Sequence, residues 1–205
     1  DLQALVIVGD VNVDSVESRL KMMFVDIPKR ENPTPRPIYQ LEDNEKPIVA
    51  VITDPEARNT RIDVAYRHAP MSDRAKAGMP GYISMLGNRL IGSMLGQRLD
   101  EIAQKSDAPF AVAYAEYGEL VRSKDVFEML TLPHEGRESD ALFALLREGE
   151  RMRRFGFTQT ELDRAKIDML SLYEKSYNER SKTKNDSYVR EYIGNYLDFE
   201  PVPGI

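Results

Sequence analysis

The 205-residue sequence contains no cysteine, no tryptophan and only two histidines. Without cysteine the chain forms neither disulfides nor thiolate metal sites, and this absence fits a reducing or an oxidising compartment equally well. No apolar run approaches the roughly 20 residues that a membrane-spanning helix requires. Neither sign of charge is in great excess, since 34 acidic residues face 28 basic ones for a net charge of −6. A dominant nucleic-acid-binding or anionic-membrane surface is therefore not expected.

The overall composition is that of a soluble globular protein, with 41% hydrophobic and 30% charged residues. The length allows one large domain, or one domain with an appendage, and is sufficient for a hydrophobic core. The chain begins on Asp-Leu-Gln without an initiator methionine and ends on Pro-Val-Pro-Gly-Ile. We therefore expect it to be a fragment of a longer protein, so the missing signal peptide says nothing about its compartment.

The central stretch, residues 78–133, predicts a long helix followed by a β-hairpin. Apolar residues recur there at three- and four-residue steps and give a helical stripe, formed by Ile83, Leu86, Leu90 and Met94. The stripe is interrupted by glycines at positions 87, 92 and 96. These glycines indicate either that the helix packs closely on a sheet or that it breaks and restarts near Leu95. Residues 97–105 continue as an amphipathic segment that Pro109 ends, and strands are predicted at 110–117 and 126–132 around a turn at 118–124.

The first part of the chain predicts a strand at residues 4–10, closed by a Gly-Asp turn, and then a short helix capped by Asp14. The apolar face of this helix comprises Val16, Leu20, Met23 and Phe24. The proline-rich residues 28–47 are predicted to form an extended surface linker. Two further strands are expected at residues 48–53 and 62–67, joined by a turn, before a helix begins at Ser72.

Three helices are predicted after the hairpin. The inward face of the first, which starts near Ser139, is expected to comprise Leu142, Leu145, Leu146 and Met152, and Gly156 is a plausible C-cap. Thr158 and Glu161 have capping-box spacing at the start of the second helix, and residues 188–196 suggest the third. The predicted order is β-α-β-β-α-β-β-α-α-α. It indicates an α+β fold, an antiparallel sheet with helices packed mainly on one face.

Two stretches carry a resemblance to a known family. Residues 95–110, Leu-Gly-Gln-Arg-Leu-Asp-Glu-Ile-Ala-Gln-Lys-Ser-Asp-Ala-Pro-Phe, resemble the helix-to-strand passage in the repeated domains of the M16 (insulinase/pitrilysin) zinc metallopeptidases. The opening strand, Gly-Asp, short helix and Phe24 shortly before Pro28 resemble the start of such domains. The resemblance covers about residues 4–197 and implies the same α+β plan. It places an M16-like domain at residues 1–197 and the start of a linker to a following domain at 198–205.

The zinc motif of this family, His-x-x-Glu-His on a helix, does not occur in the chain. The two histidines, His68 and His134, are far apart in sequence. Glu135 and Glu138 follow His134, but we interpret that segment as a surface turn rather than a metal site, and His68 as a strand-end residue. No residue of this chain is therefore predicted to bind metal or cofactor or to be catalytic.

The other active-site signature that the resemblance implies, an Arg followed seven positions later by a Tyr, is also missing. Aligning Phe110 with that Tyr places Ala103 at the Arg position, and the neighbouring register gives Gln104 and Ala111. In four-domain M16 proteins the zinc motif lies in the first domain and the Arg/Tyr pair in the last. A chain lacking both fits the second domain, a structural partner.

The resemblance therefore implies a non-catalytic domain of an M16-type zinc endopeptidase that helps form a peptide-enclosing chamber. The zinc ligands of the parent protein would lie outside this chain. The expected partners are a peptide or protein substrate and the adjacent M16 domains, with no nucleic acid and no membrane span. A periplasmic or secreted location is slightly favoured over a cytoplasmic one. Two alternatives stay open: a domain of a catalytically inactive M16-like scaffold or assembly subunit, and an unrelated peptide- or protein-binding domain.

Overall fold

The computed structural model describes residues 3–28, 31–32, 34–35 and 37–202. Its strands form one antiparallel sheet: β1 (Ile62–His68), β2 (Phe110–Val121) and β3 (Lys124–Pro133). The helices are α1 (Val13–Met23), α2 (Asp73–Lys76), α3 (Met79–Ala103), α4 (Glu138–Phe155), α5 (Gln159–Asn178) and α6 (Asn185–Asp198), with a 3₁₀ turn at Arg180–Lys182. Among these residues no helix is long and apolar enough to cross a membrane.

The sheet has the order β1-β3-β2, so β3 is central and pairs with a neighbour on each side. Val64, Met129 and Ala115 lie side by side across the three strands. Because side chains alternate along a strand, such a row points to one face of the sheet. That face packs against α3 and α4, and the core between them contains the fully buried Leu95, Leu99, Phe110, Met129 and Leu145. The predicted α+β fold, an antiparallel sheet with helices mainly on one face, is confirmed.

The helix α3 is continuous, so of the two alternatives for its glycines the break near Leu95 does not occur. Close packing explains one glycine: a Cβ on Gly92 would lie 3.0 Å from the carbonyl oxygen of Ala115 in β2. Gly87 and Gly96 face open space, and nothing in the structure explains them. The predicted inward stripe is only half correct. Met94 is buried, but Ile83 is exposed, because the first half of α3 stands away from the sheet.

Two predicted strands, at residues 4–10 and 48–53, do not join the sheet. Neither segment is a strand in the described part of the chain, and residues 9–10 form a bend. A strand is stable only when a neighbouring strand accepts its backbone hydrogen bonds, and these apolar segments meet none here. The first helix forms as predicted, but its N-cap is Asn12, whose Oδ1 accepts the Ser15 amide at 2.9 Å, and not Asp14. None of its residues is buried.

The predicted linker, residues 28–47, contains no helix or strand in its described part; residues 29, 30, 33 and 36 lie outside the description. The predicted turn at 118–124 is shorter than expected, since β2 continues to Val121 and β3 begins at Lys124. The predicted inward face of α4 is half correct: Leu145 is buried and Met152 packs against the core, whereas Leu142 and Leu146 are exposed. The buried face also includes Ala141, Ala144 and Glu148.

The helix termini after the hairpin follow their sequence signals. Gly156 ends α4 with a φ of 63°, a conformation that favours glycine. The Thr158 hydroxyl accepts the Glu161 amide, and the Glu161 carboxylate accepts the Thr158 amide, which is the predicted capping box. The last helix, α6, forms where residues 188–196 predicted it but has no buried residue. The predicted segment 198–205 extends beyond the description, which ends at residue 202.

Candidate functional site

The two histidines lie at opposite ends of the central strand. His68 ends β1 and pairs in register with Asp125, near the start of β3, whereas His134 follows the last residue of β3, Pro133. At about 3.3 Å per residue the two positions are about 30 Å apart. One metal ion needs ligands within about 2–2.5 Å, so the two histidines cannot share one.

Each histidine has a local role instead. The His68 ring packs on Tyr117, with 5.1 Å between ring centroids, and its Nδ1 lies 2.9 Å from the Ala69 carbonyl oxygen. The His134 amide donates to the Pro109 carbonyl at 3.0 Å, which ties the end of β3 to the start of β2. Glu138 accepts the Gly136 amide at 3.2 Å in the turn before α4. Across the described ranges no group of three or more His, Cys, Asp or Glu side chains is placed to hold a metal ion.

The positions aligned with the family's Arg/Tyr pair are structural. Ala103 is the last residue of α3 and Gln104 is its C-cap. Phe110 is fully buried at the start of β2, where it packs in the core cluster. A buried phenylalanine cannot reach a substrate, and an alanine offers no donor. Ala103 and Phe110 therefore contribute packing, whereas Gln104 is exposed at the end of the helix.

A cleft of about 750 Å³ lies between the first half of α3, the second half of β2 and the residues around the end of α6. Its carboxylates outnumber its cations; they belong to Glu116, Glu119, Asp125, Asp198 and Glu200, against Lys76 and Arg89. The Lys76 ammonium lies 3.6 Å from Glu119. These residues share no sequence motif. The one sequence signal near the cleft is Gly92, for which close packing of this helix on a sheet is one of the two predicted alternatives.

A buried hydrogen bond stiffens one wall of this cleft. The Tyr117 hydroxyl in β2 donates to Asp125 Oδ2 in β3 at 3.0 Å. Burial, together with this bond to a carboxylate, raises the pKa of Tyr117 to about 12. The hydroxyl therefore stays protonated at neutral pH and cannot act as a base.

A buried arginine joins three helices on the other side of α3. Arg98 is 6% exposed and forms a two-pronged ion pair with Glu161, the capping-box residue of α5. Its Nη2 also donates to the Gly156 carbonyl at 3.0 Å, and its guanidinium lies 4.6 Å from the Phe157 ring centroid. The remaining Nη1 is buried without a partner among the described residues. The bond to Arg98 lowers the pKa of Glu161 to about 2. Sequence reasoning identified the cap but not this second role of Glu161.

The family described as "Peptidase M16 inactive domain" matches residues 1–169, well over half of the chain. A protein of Arabidopsis thaliana named "Zinc protease PQQL-like" is 26% identical over 203 residues, which is 98% of this chain and 18% of that protein.

Two solved structures share the fold. The periplasmic protease PqqL from Escherichia coli superposes with a TM-score of 0.72 at 16% identity, covering 96% of this chain and 21% of that one. A protein from Yersinia pestis described as a predicted insulinase family protease gives a TM-score of 0.70 at 13% identity, covering 94% of this chain and 41% of that one. The chain therefore spans a minor part of each relative.

Proposed function

This chain belongs to the peptidase M16 family, as a domain of its inactive type, and we propose that it is a non-catalytic part of a zinc endopeptidase. In that protein it would help form the chamber that encloses a peptide or protein substrate. The zinc ligands would lie in another domain, since the histidines of this chain stand about 30 Å apart along β3. We also propose residues 1–197 as the extent of the domain, and a periplasmic or secreted location.

The observation that supports this proposal best is an apolar segment without cover. Residues 48–52 belong to no helix or strand, and two of them, Val51 and Ile52, are 85% and 91% exposed. Ile48 and Val49 are similarly exposed. Four neighbouring β-branched side chains in water are costly, at about 1.5–3 kcal/mol of forgone burial each. A segment of this kind fits a role as a strand that pairs with another domain of the parent protein.

The same reasoning applies to α1. It has the apolar face that its sequence predicts, yet Met23 and Phe24 are exposed in this chain. An amphipathic helix gains most of its stability by packing its apolar face. The exposed strand and the exposed helix face together support a domain that completes its packing within a larger protein.

The proposal can be tested in the full-length parent protein. The double variant Val51→Asp, Ile52→Asp places two charges on the exposed strand, where pairing with another domain would bury them. We expect a several-fold loss of chelator-sensitive peptide hydrolysis with unchanged zinc content. The double variant Asn59→Asp, Thr60→Asp adds two charges at exposed positions outside the predicted strand, so it is the matched control and should stay near wild type.

Two outcomes would count against the proposal. Full activity in the double variant would show that the segment has no role in assembling the peptidase. If the parent protein carries no His-x-x-Glu-His motif and hydrolyses no peptide, the inactive scaffold or assembly subunit becomes the correct function. The 205-residue chain alone should bind no stoichiometric zinc, which elemental analysis after dialysis would check.

A further inference from the structure

One side of the β2–β3 turn is buried, although Val121 just before it is 43% exposed. Burial there is unusual because hairpin turns normally face water. Ser123, Lys124 and Asp125 are each only 7–8% exposed. All three are polar, and a buried polar group is costly unless it is hydrogen-bonded. Asp125 is bonded to Tyr117, but the partners of Ser123 and Lys124 lie elsewhere, in the connecting segment that precedes β1.

Residues 39–44 of that segment run across the turn and contact it with backbone and side chains. The Leu41 amide donates to Ser123 Oγ at 3.3 Å, and the Ser123 hydroxyl donates to the Tyr39 carbonyl at 2.7 Å. Lys124 Nζ lies 2.6 Å from Asp43 Oδ1. The Lys124 side chain is 10% exposed, whereas that of Asp43 is 78% exposed, so the anion reaches in from solvent to a buried cation.

A further contact extends this strip to β1. Arg67, near the end of β1, donates from Nη2 to the Asn44 side-chain oxygen. The segment is therefore held at two strand ends. Its own side chains stay exposed except that of Leu41, which is half-buried. A sequence so rich in proline predicted a free linker, but the polar contacts fix residues 39–44 on the sheet.

We propose that residues 39–44 act as a latch, through which the connecting segment holds the β2–β3 turn and hence the adjoining wall of the cleft. The wall includes Asp125, the residue after Lys124, and the strand residues 115–119. A displacement of the residues before 39 would then be transmitted to the cleft through the β2–β3 hairpin. The two-point contact makes this a mechanical coupling and not a binding site.

Hydrogen exchange followed by mass spectrometry in the full-length parent protein tests the latch. Ser123→Ala removes the acceptor of the Leu41 amide, so exchange in peptides covering 38–43 should become about tenfold faster, the effect of losing one hydrogen bond. Asp43→Asn leaves the Lys124 ammonium buried without a counter-ion. It should therefore speed exchange in the same peptides by more than Ser123→Ala does. In both variants peptides covering 115–126 should also exchange faster. Glu42→Gln, a neighbouring exposed carboxylate with the same change, should match wild type.

A double variant separates loss of the ion pair from general damage. Lys124→Met keeps the volume of the buried stem and removes the cation, so adding Asp43→Asn to it should not speed exchange at 115–126 any further, because the ion pair is already lost. If exchange in Asp43→Asn is as slow as in Glu42→Gln, the ion pair does not hold the segment on the turn. If peptides 38–43 are released while 115–126 keep their protection, the segment does not hold the turn. Either result overturns the proposal.

Discussion

Two parts of the chain both contain apolar segments but differ in what those segments contact. Every buried residue in the described ranges lies between Met94 and Ala165, in the sheet, α3, α4, the start of α5 and the residues that connect them. Between residues 3 and 60 the described residues include a helix with an apolar face and two apolar segments outside any helix or strand, yet none is buried. Hydrophobic patterning therefore shows that a face is to be covered, but not which part of a protein covers it.

The largest expected effect compares the same substitution in the two parts. Phe110→Ala removes a fully buried ring from the core and should lower the free energy of unfolding by about 3–5 kcal/mol. Phe24→Ala removes a ring that is exposed after α1 and should cost less than about 1 kcal/mol. Urea denaturation of the 205-residue chain gives both values. Equal losses would mean that α1 packs on the body in solution.

The second effect concerns the ion pair inside the body. Glu161→Gln leaves the Arg98 guanidinium buried without its counter-ion, and breaking such a pair costs about 3 kcal/mol. The matched control is Asp163→Asn, a carboxylate-to-amide change a short way along α5 at an exposed side chain. The free energy of unfolding of the control should be close to that of wild type. An equal loss in both variants would mean that the buried ion pair contributes no more to stability than an exposed carboxylate.

This ion pair also gives the stability of the chain a pH dependence with a definite sign. The pKa of Glu161 is about 2 in the folded chain, because Arg98 donates to the ionised carboxylate, against about 4.3 in an unfolded chain. Its contribution is therefore complete above about pH 5 and is lost as the pH falls through about 2. Thermal melts between these limits should show a smaller decline for Glu161→Gln than for wild type. An identical decline would show that other carboxylates cause it.

A third effect separates two glycines on the same helix. Gly92→Leu must place a side chain against the Ala115 carbonyl, 3.0 Å from the position of its Cβ, and should destabilise by about 1–3 kcal/mol. Gly96 faces open space, so Gly96→Ala should stabilise α3 by up to about 1 kcal/mol. Opposite signs in thermal melts would confirm the distinction. A tolerated Gly92→Leu would mean that α3 can move off the sheet.

The sequence predicted what local rules determine. The capping box at Thr158 and Glu161, the end of α4 at Gly156 and the hairpin of β2 and β3 follow from turn chemistry and alternation, and all three form. Strand pairing is different, because residues 48–53 have the composition of a strand but need a partner that lies elsewhere in space. Local pattern cannot supply that partner.

The cleft and the latch could not be predicted for a related reason. The latch joins Asp43 to Lys124 and Leu41 to Ser123, residues that are distant in sequence and share no motif. Arg98 and Glu161 are likewise distant in sequence, and each has an ordinary helical role when read alone. The absence of a zinc motif was readable from the sequence at once, because such a motif requires fixed local spacing.

The smallest expected effect tests the exposed part directly. Ile52→Asn replaces a side chain that is 91% exposed, so the free energy of unfolding of the isolated chain should change by no more than about 0.5 kcal/mol. The same change at Leu95, which is fully buried, removes apolar volume and buries an amide, and should prevent folding.

Because Ile52→Asn also removes part of an exposed apolar patch, it should reduce self-association in light scattering. A loss of about 2 kcal/mol or more at Ile52, the size expected of a buried side chain, would show that residues 48–52 already pack against the body. That result would remove the main support for a strand that pairs with another domain.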